Sequence, residues 1–186
     1  SLCDMPLIAF GSMPNDGGYL ILDEYAKNQL IESCPNADKY IKKFVGSAEL
    51  IRRISRYCLW ITDENKDEAC KIQYIKERVE KCANIRLESK REATRELAKT
   101  PHRFGFVSYK ESDALIIPSV SSESREYIPI DIVHSDTVIS NLAFAVYDAP
   151  EWLFGILTSA MHMAWVRAIG GRLETRYRYS AGLCYN

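Results

Sequence analysis

Arginine and tyrosine are interleaved near the end of the chain, in the segment 170–186, which reads GGRLETRYRYSAGLCYN. Arginine can bind a phosphate group or the edge of a guanine through two parallel hydrogen bonds, and tyrosine offers a hydroxyl group and a flat ring. These residue types therefore indicate contact with DNA, although interleaved arginine and tyrosine also serve protein interfaces. The DNA-contact candidates in this segment are Arg172, Arg176, Tyr177, Arg178 and Tyr179.

A second candidate phosphate site lies in the segment 119–130, SVSSESREYIPI, between two predicted strands. Hydroxyl groups, backbone N–H groups and one arginine can together hold phosphate oxygens. Ser121, Ser122 and Arg125 are the candidates in this segment. A polar turn that binds no ligand explains the same residues equally well.

Basic residues also recur between positions 86 and 103, where they could form a stripe for nucleic acid. Glu88, Glu92 and Glu96 each precede a basic residue by three positions, which is typical of a helix face exposed to solvent. Arg103 lies outside these pairs and is the better DNA candidate. The basic residues of this region are Arg86, Lys90, Arg91, Arg95, Lys99 and Arg103.

Catalytic patterns are missing from the sequence. None of the histidines has a metal-binding spacing such as H-E-x-x-H, and no serine lies in a G-x-S-x-G turn. The 6 cysteines include no C-x-x-C pair that would predict a zinc site. We therefore predict no catalytic, cofactor-binding or metal-binding residues, and we expect His162 to be a packed, hydrogen-bonded residue.

The overall charge provides no general attraction for DNA, because the formal net charge is -1 and the pI is about 6.3. Any contact with nucleic acid must depend on local clusters. The longest uncharged apolar stretch, 152–166, is shorter than the roughly 18 residues that span a bilayer. With no signal peptide and scattered cysteines, the sequence predicts a reduced cytoplasmic protein without membrane contact.

The first half of the chain is predicted to be rich in helices. Asp23 can cap a helix that runs to about Ser33, and Pro35 can begin another that runs to Phe44. The sequence Asp16-Gly17-Gly18 between two apolar runs predicts a hairpin turn. The remaining predicted elements are a helical turn near Glu49, a strand at 56–61, an amphipathic helix at 64–83 and a helix at 89–99.

The second half is predicted to be rich in strands, at 104–109, 114–118, 127–133 and 137–148, before one last helix. Pro150 fits the first turn of that helix, and Gly170-Gly171 ends it. We expect a single α+β domain over residues 1–186, with a mixed or antiparallel sheet flanked by helices. The apolar stripe of the last helix, which predicts a buried Trp165, consists of Leu153, Leu157, Ala160, Met161, Ala164, Trp165 and Ala168.

Several segments, in the same order along the chain, resemble the target-recognition region of MmeI-like restriction–modification enzymes. The most specific of them is Phe154 to Tyr185, and the others are 6–22, 56–61, 101–106 and 117–130. Enzymes of this family join a nuclease, an adenine-N6 DNA methyltransferase and a target-recognition domain in one chain. Three positions depart from the family pattern, since arginine is common where Ser119 and Ala160 stand and aspartate where Arg176 stands.

The resemblance implies that the chain is a fragment of such an enzyme, binds double-stranded DNA and selects the methylated site. The methyltransferase domain of the same parent chain would be its partner and would bind S-adenosylmethionine. A nuclease domain would require Mg²⁺ if the parent also cleaves DNA. Two other hypotheses are a recognition module of a separate specificity subunit and a protein-interaction domain without DNA contact.

Overall fold

A computed structural model describes residues 5–185. Within this range the α-helices are α1 (Glu24–Ser33), α2 (Ser47–Arg52), α3 (Lys66–Ala69), α4 (Gln73–Leu87), α5 (Glu92–Glu96), α6 (Glu151–Leu157) and α7 (Ala160–Ile169). The strands are β1 (Ile8–Phe10), β2 (Ile21–Asp23), β3 (Ile41–Val45), β4 (Arg56–Leu59), β5 (Ala114–Pro118), β6 (Val120–Ser121), β7 (Asp131–Val133), β8 (Thr137–Ile139), β9 (Ala143–Tyr147), β10 (Gly171–Leu173) and β11 (Arg176–Arg178). These elements confirm the α+β class, and they are divided between two compact units.

The helix-rich unit comprises residues 12–44 and 55–107. Its strand β4 pairs antiparallel with β2 on one side and with β3 on the other. As predicted, Asp23 caps α1, and its carboxylate accepts a hydrogen bond of 2.7 Å from the Ala26 N–H. The predicted helix 64–83 is two helices, because the backbone of Ile72 is extended between α3 and α4.

Arg86 is the central polar residue of the helix-rich unit. It extends the buried stripe of α4 beyond Val79 and Cys82, and its side chain is fully buried. Its N–H groups donate to five backbone carbonyl oxygens at distances of 2.7 to 3.0 Å. The expected place of Arg86 on a solvated face was therefore wrong, because the carbonyl dipoles replace water around the guanidinium. The carbonyls belong to Pro14, Asn15, Leu97, Thr100 and Arg103.

Other basic residues of this region have the expected exposed positions. Lys99 forms the predicted ion pair with Glu96 on the surface. Arg95 instead donates a hydrogen bond of 2.9 Å to the backbone carbonyl of Ser89. Exposed contacts of this kind contribute about 1 kcal/mol or less. The region 86–103 therefore combines one structural arginine with a solvated surface.

Two predicted elements of the helix-rich unit were wrong. Pro35 begins a short 3₁₀ turn that ends at Tyr40, and the next residues form β3 instead of continuing a helix. The predicted strand at 104–109 contributes only a bridge between Phe106 and Met13. Pairing with a distant strand decides both segments, and local residue preference does not report such pairing.

The Asp16-Gly17-Gly18 turn forms, but it does not join a hairpin. Gly17 and Gly18 have φ values of 65° and 89°, which side-chain-bearing residues rarely adopt. The Asp16 carboxylate accepts hydrogen bonds from the N–H groups of Gly18 and Leu20. However, β1 pairs with β9 and β2 pairs with β4, so the predicted hairpin was wrong.

The strand-rich unit joins the chain up to Gly11 with residues 45–54 and with the chain from Ser108 onward. Its main sheet has the order β1-β9-β5-β7, and each of its pairs is antiparallel. Every residue of β5 and β9 is buried, because apolar side chains cover both faces of the sheet. Leu115 and Val146 pack with α6 and α7 on one face, whereas Ile116 packs with Leu50 on the other.

The last predicted helix is divided at Thr158 and Ser159. The Thr158 hydroxyl donates to the Phe154 carbonyl at 2.7 Å, and the Ser159 hydroxyl caps α7 by accepting from the His162 N–H at 3.1 Å. The break shifts the buried face to His162, Met163 and Val166 in α7. The prediction of a buried Trp165 was wrong, because its side chain is 51% exposed. No helix within residues 5–185 is long and apolar enough to cross a membrane.

Candidate nucleic-acid interface

The predicted arginine–tyrosine segment forms a β-hairpin directly after α7. At the end of α7, a Cβ atom on Gly170 would lie 2.3 Å from the Val166 carbonyl oxygen, so the chain requires glycine there. Strands β10 and β11 then pair antiparallel with Arg172 opposite Tyr177. The turn between them contains Glu174 with a φ of 57°. The hairpin therefore begins at a fixed point on the end of a packed helix.

The hairpin joins the serine-rich segment in one small sheet. Strand β11 lies between β10 and β6, with Tyr177 opposite Ser121 and Arg178 opposite Val120. The N–H of Tyr179 then donates to the Ser119 carbonyl at 3.0 Å. The structure thus brings together the two segments that the sequence offered as separate phosphate sites.

Side chains alternate along β11, as the sequence predicted for an extended segment. Tyr177 and Tyr179 are 7% and 2% exposed, whereas Arg176 and Arg178 are exposed. The Tyr179 hydroxyl and the His162 Nε2 are 3.1 Å apart, which confirms that His162 is packed and hydrogen-bonded. Burial lowers the pKa of His162 and raises that of Tyr179. The tyrosines therefore attach the hairpin to the core, and the arginines remain on the surface.

The guanidinium groups of the hairpin differ in their use of hydrogen-bond donors. Arg172 lies over the Tyr177 ring, with 4.3 Å from its Cζ to the ring centroid, and donates to the Thr175 carbonyl at 3.0 Å. Arg176 forms an ion pair of 3.0 Å with Glu174. Arg178 makes no side-chain hydrogen bond or ion pair within residues 5–185. Arg178 is therefore the hairpin arginine with the most donors available to a ligand.

The predicted serine site is only partly accessible. Ser121 is 2% exposed, and within the described part of the chain its hydroxyl has no hydrogen-bond partner. The Ser122 hydroxyl lies 2.8 Å from that of Ser124, and Arg125 is exposed in the same turn. Of the predicted residues here, Ser122 and Arg125 can reach a ligand without a change in structure.

A cleft beside the hairpin contains a residue that the sequence analysis missed. The cleft has a volume of about 730 Å³, and Arg178, Ser119, Asn141 and Phe10 line it. The Asn141 amide is unpaired among the described residues and can both donate and accept hydrogen bonds. Residues 137–148 were predicted to form one strand, although Ser140 and Asn141 are common turn residues. A division at that pair would have indicated a loop.

Acidic side chains partly neutralise this surface. Glu123 and Glu174 are exposed beside the hairpin. The backbone N–H of Glu123 lowers the pKa of its own carboxyl, with smaller contributions from Thr175 and from the charges of Arg172 and Arg176. The net positive potential is therefore modest, and Arg178 is set apart by its lack of an acidic partner within residues 5–185.

Arg103 belongs to the helix-rich unit, so the structure does not place it in the hairpin sheet. Its Nη1 lies 3.0 Å from the Asp63 carboxylate, which also lies 2.8 Å from the Nε2 of buried His102. The hydrogen bond from His102, and then the charge of Arg103, lower the pKa of Asp63. These side chains line a cavity of about 280 Å³ with Trp60. No group of three potential metal ligands occurs in the described residues.

Comparison with known proteins matches this structure to one family over the whole chain. The model of the MmeI target recognition domain matches residues 1–186. DNA methyltransferase A of Bacillus subtilis (strain 168) is 44% identical over 185 residues, which cover 100% of this chain and 21% of that protein. A solved structure of the type IIL restriction–modification enzyme MmeI in complex with DNA has a TM-score of 0.94 and 39% identity, covering 100% of this chain and 25% of that chain. The chain spans about a quarter or less of these relatives and belongs to the MmeI target recognition domain family.

Proposed function

We propose that this chain recognises the DNA target of a site-specific methyltransferase in a restriction–modification system. The observation that carries the proposal is the match over the full chain to a target recognition domain, with a close structural relative that is in complex with DNA. The hairpin surface supplies residues suited to that role. The two compact units would act together as one recognition domain.

The arginines of the hairpin can contribute in two ways. A guanidinium can hold backbone phosphates in any sequence, or it can bind the O6 and N7 atoms of one guanine. Arg178 and Asn141 line the same cleft, and an asparagine amide can pair with the N6 and N7 atoms of adenine. We therefore assign the direct contacts to Arg172, Arg176, Arg178 and Asn141, with Ser122 and Arg125 as phosphate contacts.

Three residues predicted to touch DNA receive a supporting role instead. Ser121, Tyr177 and Tyr179 are buried in the strand-rich unit. Tyr179 holds the hairpin against α7 through His162, and Tyr177 lies beneath the guanidinium of Arg172. These side chains position the arginines and do not need to meet the ligand. Arg103 would contact DNA from the helix-rich unit.

The proposal extends to a parent enzyme that methylates adenine at N6 with S-adenosylmethionine. The donor set does not fit that cofactor here, because the sequence has no glycine loop after a strand and no N-P-P-[YFW] motif. S-adenosylmethionine, and Mg²⁺ for any nuclease, would therefore be bound by residues outside this chain. We place the enzyme in the reducing cytoplasm, where the free cysteines Cys34, Cys58, Cys70, Cys82 and Cys184 would remain thiols.

The test is to map modified bases in the genome of a host that carries the full-length gene. We expect N6-methyladenine at one recurring sequence, which disappears when the gene is deleted. Arg178→Ala and Asn141→Ala should reduce methylation or relax the sequence at one position. Arg52→Ala is the matched control, since Arg52 is an exposed residue of α2 in the same unit that does not line the cleft.

Two outcomes would contradict the proposal. If the full-length protein bound no DNA and left the genome unmodified, a protein-interaction role would replace it. If methylation occurred but every hairpin and cleft variant behaved as the Arg52→Ala control does, recognition would belong to another surface of the chain.

A further inference from the structure

Apolar side chains form an exposed patch on α6 and α7, in the strand-rich unit. Trp152, Ile156 and Trp165 are each 51% or 52% exposed, and Met161 is 84% exposed. Together with Gly155, Ser159 and His162, they line a depression of about 730 Å³. Contiguous apolar surfaces with two tryptophans are uncommon on protein faces that meet only water. The patch therefore requires an explanation other than core packing.

The chemistry of the patch does not suit DNA. None of its seven lining residues is lysine or arginine, and burial lowers the pKa of His162, so that this ring is neutral at physiological pH. Without a lysine or arginine the patch lacks the charge that supplies most of the affinity for the DNA backbone. The Trp165 Nε1 donates to the Leu183 carbonyl at 3.1 Å, which satisfies its polar atom and leaves the ring face exposed. An apolar protein surface is the ligand that this geometry fits.

Gly155 lies in the patch and leaves room for an incoming surface. A Cβ atom added to Gly155 would have no neighbour within 4 Å. Glycine is the least favourable non-proline residue within a helix, by about 1 kcal/mol relative to alanine. The fold of this chain thus gains nothing visible from Gly155, whereas a docked partner would gain close approach to the backbone of α6.

We propose that this α6–α7 patch is the docking site for an apolar face of another domain of the same longer polypeptide. The inference rests on the proposed function in one respect, that the chain acts as part of a larger enzyme. The matched relatives extend well beyond the aligned region, which is 21% of one and 25% of the other. Domains within one chain commonly share interfaces of about 600–1,500 Å². The exposed tryptophan, isoleucine and methionine side chains of the patch are of the type that such an interface buries.

The rate at which hydrogen peroxide oxidises a methionine measures whether another surface shields the patch from solvent. Met161 is 84% exposed, Met13 is 40% exposed and Met163 is 2% exposed, so one digest contains the probe and two internal references. Hydrogen peroxide should oxidise Met161 at least about tenfold more slowly in the full-length gene product than in the chain 1–186, because oxidation follows exposure. Met13 should keep its rate, and Met163 should stay protected in both. Equal Met161 rates in the two proteins would overturn the proposal.

Substitutions at Gly155 test the docking itself. Gly155→Glu places a charge in the interface without a clash inside this chain, because no atom lies within 4 Å of a Cβ at this position. Met161 in the full-length protein should then be oxidised fast again. Gly155→Ala is the first control, because alanine and glutamate both favour a helix more than glycine does but alanine adds no charge. Ala168→Glu is the second control, because it places the same charge on an exposed α7 position outside the depression. Both controls should keep Met161 protected. Protection that persists in Gly155→Glu would place the covering surface elsewhere and reject the proposed site.

Failure of the docking site and failure of the proposed function would give different results. Loss of DNA methylation with normal Met161 protection would contradict the function and leave the docking site in place. Protection of Met161 that appears in the chain 1–186 as its concentration rises would identify a second copy as the occupant. That result would overturn the proposal of an intramolecular partner.

Discussion

Arg86 in the helix-rich unit and Arg178 in the strand-rich unit have the same side chain in opposite settings. Arg86 is fully buried, and its N–H groups donate to backbone carbonyls. Arg178 is exposed beside a cleft, and its guanidinium has no hydrogen-bond or ion-pair partner within residues 5–185. The comparison shows that an arginine whose donors are all used by its own buried core is not a candidate for binding DNA, however basic its surroundings in the sequence. Residue type and local charge do not separate the two cases.

The largest expected effect comes from removing the buried guanidinium. Arg86→Met should lower the free energy of unfolding by more than about 3 kcal/mol, because several buried carbonyls would be left without a charged donor. Urea denaturation measures this change. Lys90→Ala, at an exposed position, should change the same free energy by about 0.5 kcal/mol or less. A decrease below about 1 kcal/mol for Arg86→Met would mean that water replaces the side chain.

A smaller effect should follow from loosening the hairpin beneath its arginines. Tyr179→Phe keeps the ring but removes the hydroxyl partner of His162, which should cost about 1–2 kcal/mol of unfolding free energy. Tyr127→Phe, at a 40% exposed position, is the control and should be nearly neutral. Equal stabilities of the two variants would show that the hydrogen bond between Tyr179 and His162 is not what attaches the hairpin.

The pH dependence should reveal the same attachment. The folded pKa of His162 lies below the ordinary value of 6.5, so the unfolded chain takes up the proton first as the pH falls. Stability should therefore be complete above about pH 6.5 and decrease below it, by up to about 1.4 kcal/mol per pH unit for one proton. His162→Gln should flatten this decrease, because the side chain that takes up the proton is then missing. Parallel curves for wild type and His162→Gln would refute the assignment.

The smallest effect on stability, with the largest effect on function, is expected for the hairpin arginines. Arg178→Ala and Arg172→Ala should change the unfolding free energy by about 0.5 kcal/mol or less. In the full-length protein, removing one arginine–phosphate ion pair should reduce the slope of log affinity against log salt by about 0.9. An unchanged slope with relaxed specificity at one base pair would indicate base readout instead. If affinity, slope and specificity all stayed unchanged, the hairpin would not belong to the DNA interface.

Local signals in the sequence predicted the elements that depend on local chemistry. The Asp23 cap of α1, the strand at 114–118 and the end of α7 before Gly170 lie where they were expected. The alternation along Arg176–Tyr179 also followed from residue spacing alone. For the cap and for the helix end, a side chain or a backbone preference within a few residues determines the structure.

Contacts between distant residues account for the error at Arg86, whereas local breaks that were overlooked account for the errors at Asn141 and Trp165. Arg86 is buried because carbonyls from residues 14–15 and 97–103 surround it, and its place in the α4 stripe was the only local sign. The Asn141 loop was missed because 137–148 was predicted as one strand, whereas the structure has two strands, β8 and β9, with Asn141 between them. Trp165 was assigned to the core because a single helical phase was assumed across Ser159. A capping serine inside an apolar helix pattern is the signal that would have corrected it.

The break at Thr158 and Ser159 also has a consequence for local opening. With seven residues, α6 is too short to persist in isolation, and α7 starts from its own cap instead of continuing the hydrogen-bond ladder of α6. The two helices can therefore open in separate steps, each at its own free energy. Amide hydrogens of α6 should then exchange with solvent through a fluctuation that leaves α7 and the start of the hairpin intact.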